Sequence, residues 1–536
     1  MSPIGETLGV FRNRSFRGLW LASLASNFGG LIQAVGAAWM MTSLTSSEGM
    51  VALVQTSITL PIMIGAFAAG ALADNFDRRK VMLVAQVFML VTSAALTFLA
   101  WEGWLTPWTL LAFTFLIGCG TALHNPSWQA SIGDMVPRDD LPSAVSVNAM
   151  GMNMTRSVGP AIGGAIVAAA GAAAAFAVNA VSYVTIIVAL LAWRPRFHER
   201  KLPRERFAGA LADGMRYFAM SPHLIRQNAR GFVFGFAGIA GQALLPVVTH
   251  DRLGGDALVF GILLGCFGLG AVLSAFANVR LRAVLENEQI CRIGFLGFAV
   301  GALALGLSGS VVVCGLAMFV SGACWLSVLS LLNVSVQLST PRWVLGRMLA
   351  LYMTAIFGGM AIGGVVWGAI SDAHGAQAAL LGSAGVLVFG AIVGVWAPVP
   401  PFSQSNLAPL NRFTDPEVKI DLTRRSGPIM ILVEYDIDPK DATEFLELMY
   451  VRRRSRIRDG AQRWVLLRDL EHPEKWTETY HFPTWTEYRR HHERRTHADS
   501  EAFDRLLKLH RGPVPLRVHR AIERQTISKR DLRAGE

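Results

Sequence analysis

Two groups of residues in this chain have the types and spacing for chemistry beyond solubility. The first is Gly70-Ala-Leu-Ala-Asp74-Asn-Phe-Asp77-Arg78-Arg79-Lys80, two carboxylates followed at once by three cations. A carboxylate beside a helix N-terminus is held by free N–H groups and the helix dipole. Asp74 can therefore seat against a helix starting near Gly346 and Arg347, while Arg78 can pair with Asp134 or Asp77. Gly70, Asp74, Asp77, Arg78, Arg79, Asp134 and Arg347 thus form a candidate conformational latch. The plainer alternative is a solvated joint that only fixes topology. The second group is Asn148, Asn153, Arg156 and Gly159-Pro160-x-x-Gly163-Gly164. Proline removes a backbone donor and bends a helix, and glycines let helices approach closely. An arginine deep in an apolar segment costs several kcal/mol unless it faces a wet cavity or finds partners. Arg156 is thus the leading candidate for contact with an anionic or polar small molecule, or else a structural arginine bonded to carbonyls.

Other polar residues interrupt apolar segments: Asn27, Gln33, Gln55, His124, Asn125, Gln242, Asn333 and Gln337. With Asn153 and Arg156 they are the substrate and cavity candidates, although an amide in such a segment serves equally as interhelical glue. Trp39, Phe115, Phe236 and Trp325 offer either an aromatic lining or packing. No Asp or Glu lies deep in an apolar segment; Glu102 and Asp134 stand at ends. Proton-carrying chemistry is left to His124 or to the edge carboxylates Asp74 and Asp134. The histidines after residue 480 alternate with Arg and Trp and close no ligand set. The five cysteines lie in or at the ends of apolar segments, without metal-ligand spacing. No catalytic constellation, metal site or cofactor motif is expected, and the chain does not read as an enzyme.

What positions these residues is a membrane body. The 536 residues are 52% hydrophobic and only 16% charged, well below the quarter or so of a soluble domain. About 20 apolar residues span a bilayer core. On that measure the first half gives spans at 17–44, 49–73, 80–101, 106–126, 142–171 and 173–193. The second half gives 224–250, 256–279, 289–308, 311–337, 345–370 and 376–397. Cations cluster before span 1 and after each even-numbered span, and the opposite loops carry almost none beyond Arg252. The positive-inside rule places both termini in the cytoplasm. The net charge of +11 is accounted for by these loops and the tail, so a nucleic-acid partner is not expected.

The expected domains are a six-helix half (1–193), a cytoplasmic linker with an amphipathic helix (194–222), a second six-helix half (223–397), a linker (398–427), a soluble α+β domain (428–522) and a tail (523–536). Gly159-Pro-Ala161-Ile162-Gly163-Gly164 recurs as Gly359-Met-Ala361-Ile362-Gly363-Gly364 at the equivalent span of the other half. Ser274-Ala-Phe-Ala-Asn278-Val-Arg280-Leu-Arg282 is a worn second copy of the span 2 loop. Two six-span halves in the same orientation are a parallel repeat. In the soluble domain, strands at 429–436, 462–470, 475–483 and 515–522 alternate with helices at 440–457 and 485–511. That βαββαβ order predicts a ferredoxin-like sandwich.

The loop at 70–80, the Gly-Pro-x-x-Gly-Gly span and the duplicated halves resemble the major facilitator superfamily. The Asp-x-x-Asp-Arg-Arg loop (74–79) and Asn153-x-x-Arg156-x-x-Gly159-Pro160 resemble its bacterial branch of enterobactin-type siderophore exporters and transmembrane secretion effectors. Asn75 and Asp77 depart from the wider superfamily's loop, which has a basic residue and a glycine there. The resemblance implies an all-α membrane protein of twelve transmembrane helices in the inner membrane. It further implies alternating access and export of siderophore- or drug-like molecules in exchange for protons. The tail resembles an extension seen in some members, and also small dimeric monooxygenase-like domains. Dimerisation through it, and a sensor or membrane-tethered enzyme acting through it, are the alternatives the sequence leaves open.

Overall fold

The computed structural model describes residues 9–75, 77–137, 140–193, 207–341, 343–399, 418–420, 422–423, 426–494, 496–513 and 516–523. Side chains at 66–75, 142, 207–208, 210, 279, 493, 498–499 and 501–502 lie outside that description. The chain forms two compact units, one of residues 1–204, 223–336 and 349–402, the other of 205–222, 337–348 and 403–536.

Among the described residues, ten helical stretches are long and apolar enough to cross a membrane. In the first half they are α1 (Arg14–Leu44), α2 (Glu48–Asn75), α3 (Arg78–Trp101), α4 (Pro107–Met135) and α5 (Leu141–Ala192). After α6 (Phe207–Ala219), which belongs to the second unit, come α7 (Pro222–Ala243), α8 (Ala257–Val284), α9 (Asn287–Leu307), α10 (Val311–Leu338) and α11 (Leu345–Trp396). α7 runs on through a short helix and a π-helical turn to Arg252.

Local chemistry sets the helix starts. The Asn13 side chain accepts from the Ser15 and Phe16 N–H groups, Asp77 accepts from Arg79 N, and Thr106 and Thr109 form a reciprocal capping box. Each satisfies donors that a helix leaves free at its N-terminus. α4 runs nine residues past the expected end at 126, through Pro126, to Met135. The extension is held because Trp128, Ile132 and Met135 join a buried cluster with Phe16, Leu19, Met82 and Leu190.

α5 and α11 have 52 residues each, about 78 Å at the helical rise and more than twice a bilayer core. Both break in the middle. Gly171 (φ 80°, ψ 170°) and Gly375 (φ 83°, ψ 157°) take a conformation that only glycine adopts cheaply. The breaks stand at the joints expected between spans 5 and 6 and between spans 11 and 12.

The second unit holds a four-stranded antiparallel sheet in the order β2-β3-β1-β4, from β1 (Ile429–Asp436), β2 (Gln462–Arg468), β3 (Lys475–Phe482) and β4 (Val518–Ile522). Alternate residues Ile429, Ile431, Val433 and Tyr435 pack with Trp476, Tyr480 and Phe482. Against them lie Phe445, Leu448 and Met449 of α12 (Ala442–Arg458), Tyr488 of α13 (Trp485–Arg494) and Leu506 of α14 (His497–Leu509).

Glu478, with no exposed surface, faces the same interior opposite Val433. It accepts from the Tyr435 hydroxyl (2.8 Å), Arg452 Nε (2.9 Å) and Trp464 Nε1 (3.0 Å), with Arg456 Nε at 3.4 Å. Burial alone would raise its carboxyl; the two guanidiniums outweigh burial and hold it at about 2.

Candidate functional site

The repeated glycine motif builds a seam between the two halves. On α5, a Cβ at Gly159 would lie 3.2 Å from Leu31 Cβ, and one at Gly163 3.1 Å from Ile32 Cα, so both press on α1. Gly164 faces α8 instead, where a Cβ would come within 2.5 Å of the Ala257 carbonyl and 2.8 Å of Gly261 Cα. The second copy repeats this division of labour. A Cβ at Gly359 or Gly363 would overlap the Phe232 and Phe236 carbonyls of α7, and one at Gly364 would overlap Thr56 Oγ1 of α2. In each half, two glycines of the motif thus seat the helix on its own half's first helix, and the next one meets the opposite half. Pro160 of the first copy lies in the same close crossing, its carbonyl 2.7 Å from a Cβ built on Gly261.

The seam closes towards the cation-poor ends of the helices. Asp372 accepts from Gly49 N (2.9 Å) and Ser47 Oγ (3.0 and 3.1 Å), Ser371 donates to Glu48, and Thr56 donates to the Ala361 carbonyl (3.1 Å). Trp39 stacks on Phe260 with centroids 6.0 Å apart. Outside this closure lies a polar cavity of about 450 Å³ lined in part by Ser43, Ser47, Glu48, His250 and Asp251.

Arg156 stands fifteen residues into α5. It lies one heptad before Gly163 and one turn before Pro160, which places it between the stripes that face α1 and α8. Its side chain is exposed and makes no hydrogen bond or ion pair among the described residues. Met154, Val158 and Ile162, also exposed, point the other way and are apolar, as a lipid-facing stripe requires. Asn153, half-buried, shares the inward sector with Arg156.

The other expected residues separate into two kinds. Gln33 is buried and accepts from Ser93 Oγ (2.9 Å) and Asn179, and His124 Nδ1 meets Gln86 Nε2 at 3.2 Å with its ring stacked on Trp128. Both are tied into the interior of the first half. Asn27 reaches Ser23 Oγ (3.4 Å) and Met152 Sδ (3.3 Å), and Asn148 accepts from Trp128 Nε1 (3.1 Å). Asn125 and Gln337 are exposed, and Gln242 and Asn333 half-buried. Of the aromatics, Trp325 packs among Phe234, Phe267 and Phe298, and Phe236 sits beside Trp367.

In the charged loop, Arg78 pairs with Asp134 (2.8 Å) and donates to the Ala130 carbonyl. Arg79 donates to the carbonyls of Leu190 and Leu191 at the end of α5, and Asp77 caps α3. These bonds fasten α3, α4 and α5 of one half to each other. The side chains of Gly70 and Asp74 lie outside the described residues. Arg347 lays its methylenes on Gly214 of α6, 3.0 Å from a Cβ built there.

One buried charge pair carries no sequence signal. Arg230 of α7 bonds Glu288 of α9 (2.7 Å) and the Gly390 carbonyl of α11 (2.9 Å), and Glu288 accepts from Val399 N (2.8 Å). The partners are 58 and 160 residues apart, so no local spacing announces them.

The sequence model of the family described as transmembrane secretion effector matches residues 6–527. The chain is similar to the multidrug efflux pump Tap of Mycolicibacterium fortuitum, 25% identical over 70% of this chain and 94% of that protein. It is likewise similar to the enterobactin exporter EntS of Escherichia coli, 26% identical over 71% and 89%. Among solved structures, a POT family transporter in complex with 5-aminolevulinic acid superposes with a TM-score of 0.59 at 14% identity, over 72% of this chain and 96% of that one.

Proposed function

This chain belongs to the transmembrane secretion effector family of the major facilitator superfamily, and we propose that it is a secondary exporter of small amphipathic molecules working by alternating access. As a multi-pass membrane protein it is read here with twelve crossings, α5 and α11 each contributing two on either side of Gly171 and Gly375. The cation-rich ends are cytoplasmic, which makes the closed seam extracellular and the conformation inward-facing. The soluble domain is read as ferredoxin-like, on the sheet order β2-β3-β1-β4.

The observation that carries this reading is the pair of glycine crossings, Gly164 on α8 and Gly364 on α2, with Arg156, unpaired among the described residues, on the inward sector beside the first. Such crossings let two halves meet and part without rearranging side chains, and an arginine held open there suits an anionic group on the cargo. The relatives named above are said to move enterobactin and drugs, so siderophores and amphipathic drugs are the classes to try. The family match favours transport over the sensor and tethered-enzyme readings.

The test is efflux from cells lacking their own pumps, with an anionic siderophore and an amphipathic drug as probes. Arg156→Ala is expected to lower export of the anionic probe about tenfold, one lost charge-assisted contact, with Arg156→Lys intermediate and membrane levels unchanged. Export of neither probe by the wild-type chain would overturn the reading; equal export by Arg156→Ala would remove Arg156 from the site.

Asp74 is proposed as a cytoplasmic latch carried mainly by the first half, because the second copy of the loop has Asn278 and Arg280 in its place. Asp74→Ala is expected to slow efflux several-fold at normal expression, and wild-type export by a well-expressed variant would refute it.

A further inference from the structure

Three segments far apart in sequence meet in the second unit: the linker helix α6, the 337–348 segment joining α10 to α11, and the soluble domain. Their meeting point is Arg494, at the C-terminal end of α13 and 5% exposed. Its Nη2 bonds Asp213 Oδ2 of α6 at 2.8 Å, its Nη1 donates to the Asp459 carbonyl (3.3 Å), and its guanidinium lies 4.3 Å over the ring of Trp343. Trp343 in turn meets Tyr217 of α6 edge-on at 5.7 Å, and Arg458 of α12 covers Tyr217 at 5.3 Å. Arg454 donates to the Met220 carbonyl at 3.4 Å.

A surface ion pair would say little, because exposed pairs contribute almost nothing. This one is different in kind. Arg494 is removed from water, and a buried guanidinium persists only where its partners are fixed. The domain therefore uses three arginines from two helices to hold α6 and the 337–348 segment together. Both held segments matter for rocking: α6 lies in the connection between the two halves, and 337–348 leads into α11, which carries Gly359, Gly363 and Gly364. Neither need be gripped by a domain that is merely tethered through 398–427.

We propose that the soluble domain is an intramolecular clamp, whose Arg494–Asp213–Trp343 junction holds the linker helix against the segment before α11 and so sets how readily the halves exchange conformations. This rests on the alternating-access reading above. An unclamped linker helix would move independently of the 337–348 segment, and the rate of exchange would change with it.

The test uses the full-length chain with Asp213→Lys, Arg494→Glu and the two reversals combined. Hydrogen exchange at 211–222 and 337–348 reads the junction without any substrate, and efflux of the exported probe reads its consequence. Each single reversal is expected to raise exchange in both segments and to change efflux by about 2–30-fold, the range for residues that couple through a network. The double reversal restores the 494–213 charge pair but neither the donation to the Asp459 carbonyl nor the cation over Trp343, so it is expected to recover part of both. Unchanged exchange in the single variants, or no recovery in the double, overturns the junction. Raised exchange with wild-type efflux overturns the clamp while leaving the exporter reading intact. Absence of export by the wild-type chain removes the exporter reading and the clamp with it, whatever the exchange shows.

Discussion

Gly164→Leu is expected to lower efflux by about tenfold to a hundredfold, because overpacking a close crossing costs on the order of 1–3 kcal/mol in the state that contains it. The Cβ alone would stand 2.5 Å from the Ala257 carbonyl and 2.8 Å from Gly261 Cα, and both are backbone that cannot swing aside. The opposing effect is small: leucine is a better helix former than glycine by about 1 kcal/mol, which would raise expression. A loss of efflux at undiminished expression therefore has to come from the seam. The substitution penalises only the conformation in which α5 and α8 meet, so the population should move towards the conformation open at the opposite end. A cysteine placed at Ser371, in a chain cleared of its five native cysteines, should become more reactive to a membrane-impermeant maleimide. Gly164→Ala should give a smaller change of the same sign. Wild-type efflux together with wild-type reactivity would show that this crossing is not part of the transport cycle.

The glycine motif is legible in the sequence because glycine spacing in an apolar helix is a local signal and the motif occurs twice. It could give neither helix a partner: the division of Gly163 to α1 and Gly164 to α8 depends on which helices surround α5. Hydropathy placed joints near 172 and 371–375, yet it could not show that each joint is a single glycine at positive φ within one helical run, since one residue barely alters a window average. Gln33 and His124 stood out for a similar reason, as cavity residues or as glue between helices. A polar residue in an apolar run is visible, and whether Ser93, Asn179 or Gln86 waits opposite is not. The charged loop was legible in composition and only partly in wiring. Arg78–Asp134 was one of two pairings on offer, while the bonds of Arg79 to the carbonyls of Leu190 and Leu191 join backbone groups with no side-chain signature. In the second unit the strand and helix order could be read from alternation, but Arg494 was one cation among many near the C-terminus until folding set it over Trp343.

Glu478→Gln should weaken the sheet of the second unit by about 3–5 kcal/mol, the usual cost of breaking a buried ion cluster by removing one partner. The amide keeps the shape but leaves Arg452 and Arg456 without the buried charge that compensates them. The pH dependence reports the same cluster. A carboxyl lowered from its ordinary 4.5 to about 2 in the folded state contributes about 3 kcal/mol. The sign follows from the direction of the shift: this stability is fully present above the unfolded value near 4.5 and drains away as the pH falls from there towards 2. Hydrogen exchange across β1 and β3, corrected for the intrinsic rate, should therefore accelerate through that window in the native chain. In Glu478→Gln it should already be about a hundredfold or more faster at neutral pH and lack the acid step. The effect should not stop at the sheet. Arg456 Nη1 sits 2.5 Å from His491 Nε2 on α13, the helix that ends in Arg494. Loosening Arg456 should free α13 and raise exchange at 211–222 and 337–348 as the reversals at Asp213 and Arg494 do, although no residue of the junction has been changed. Faster exchange confined to the sheet would mean that the buried cluster holds the domain together without supporting its grip on the linker helix.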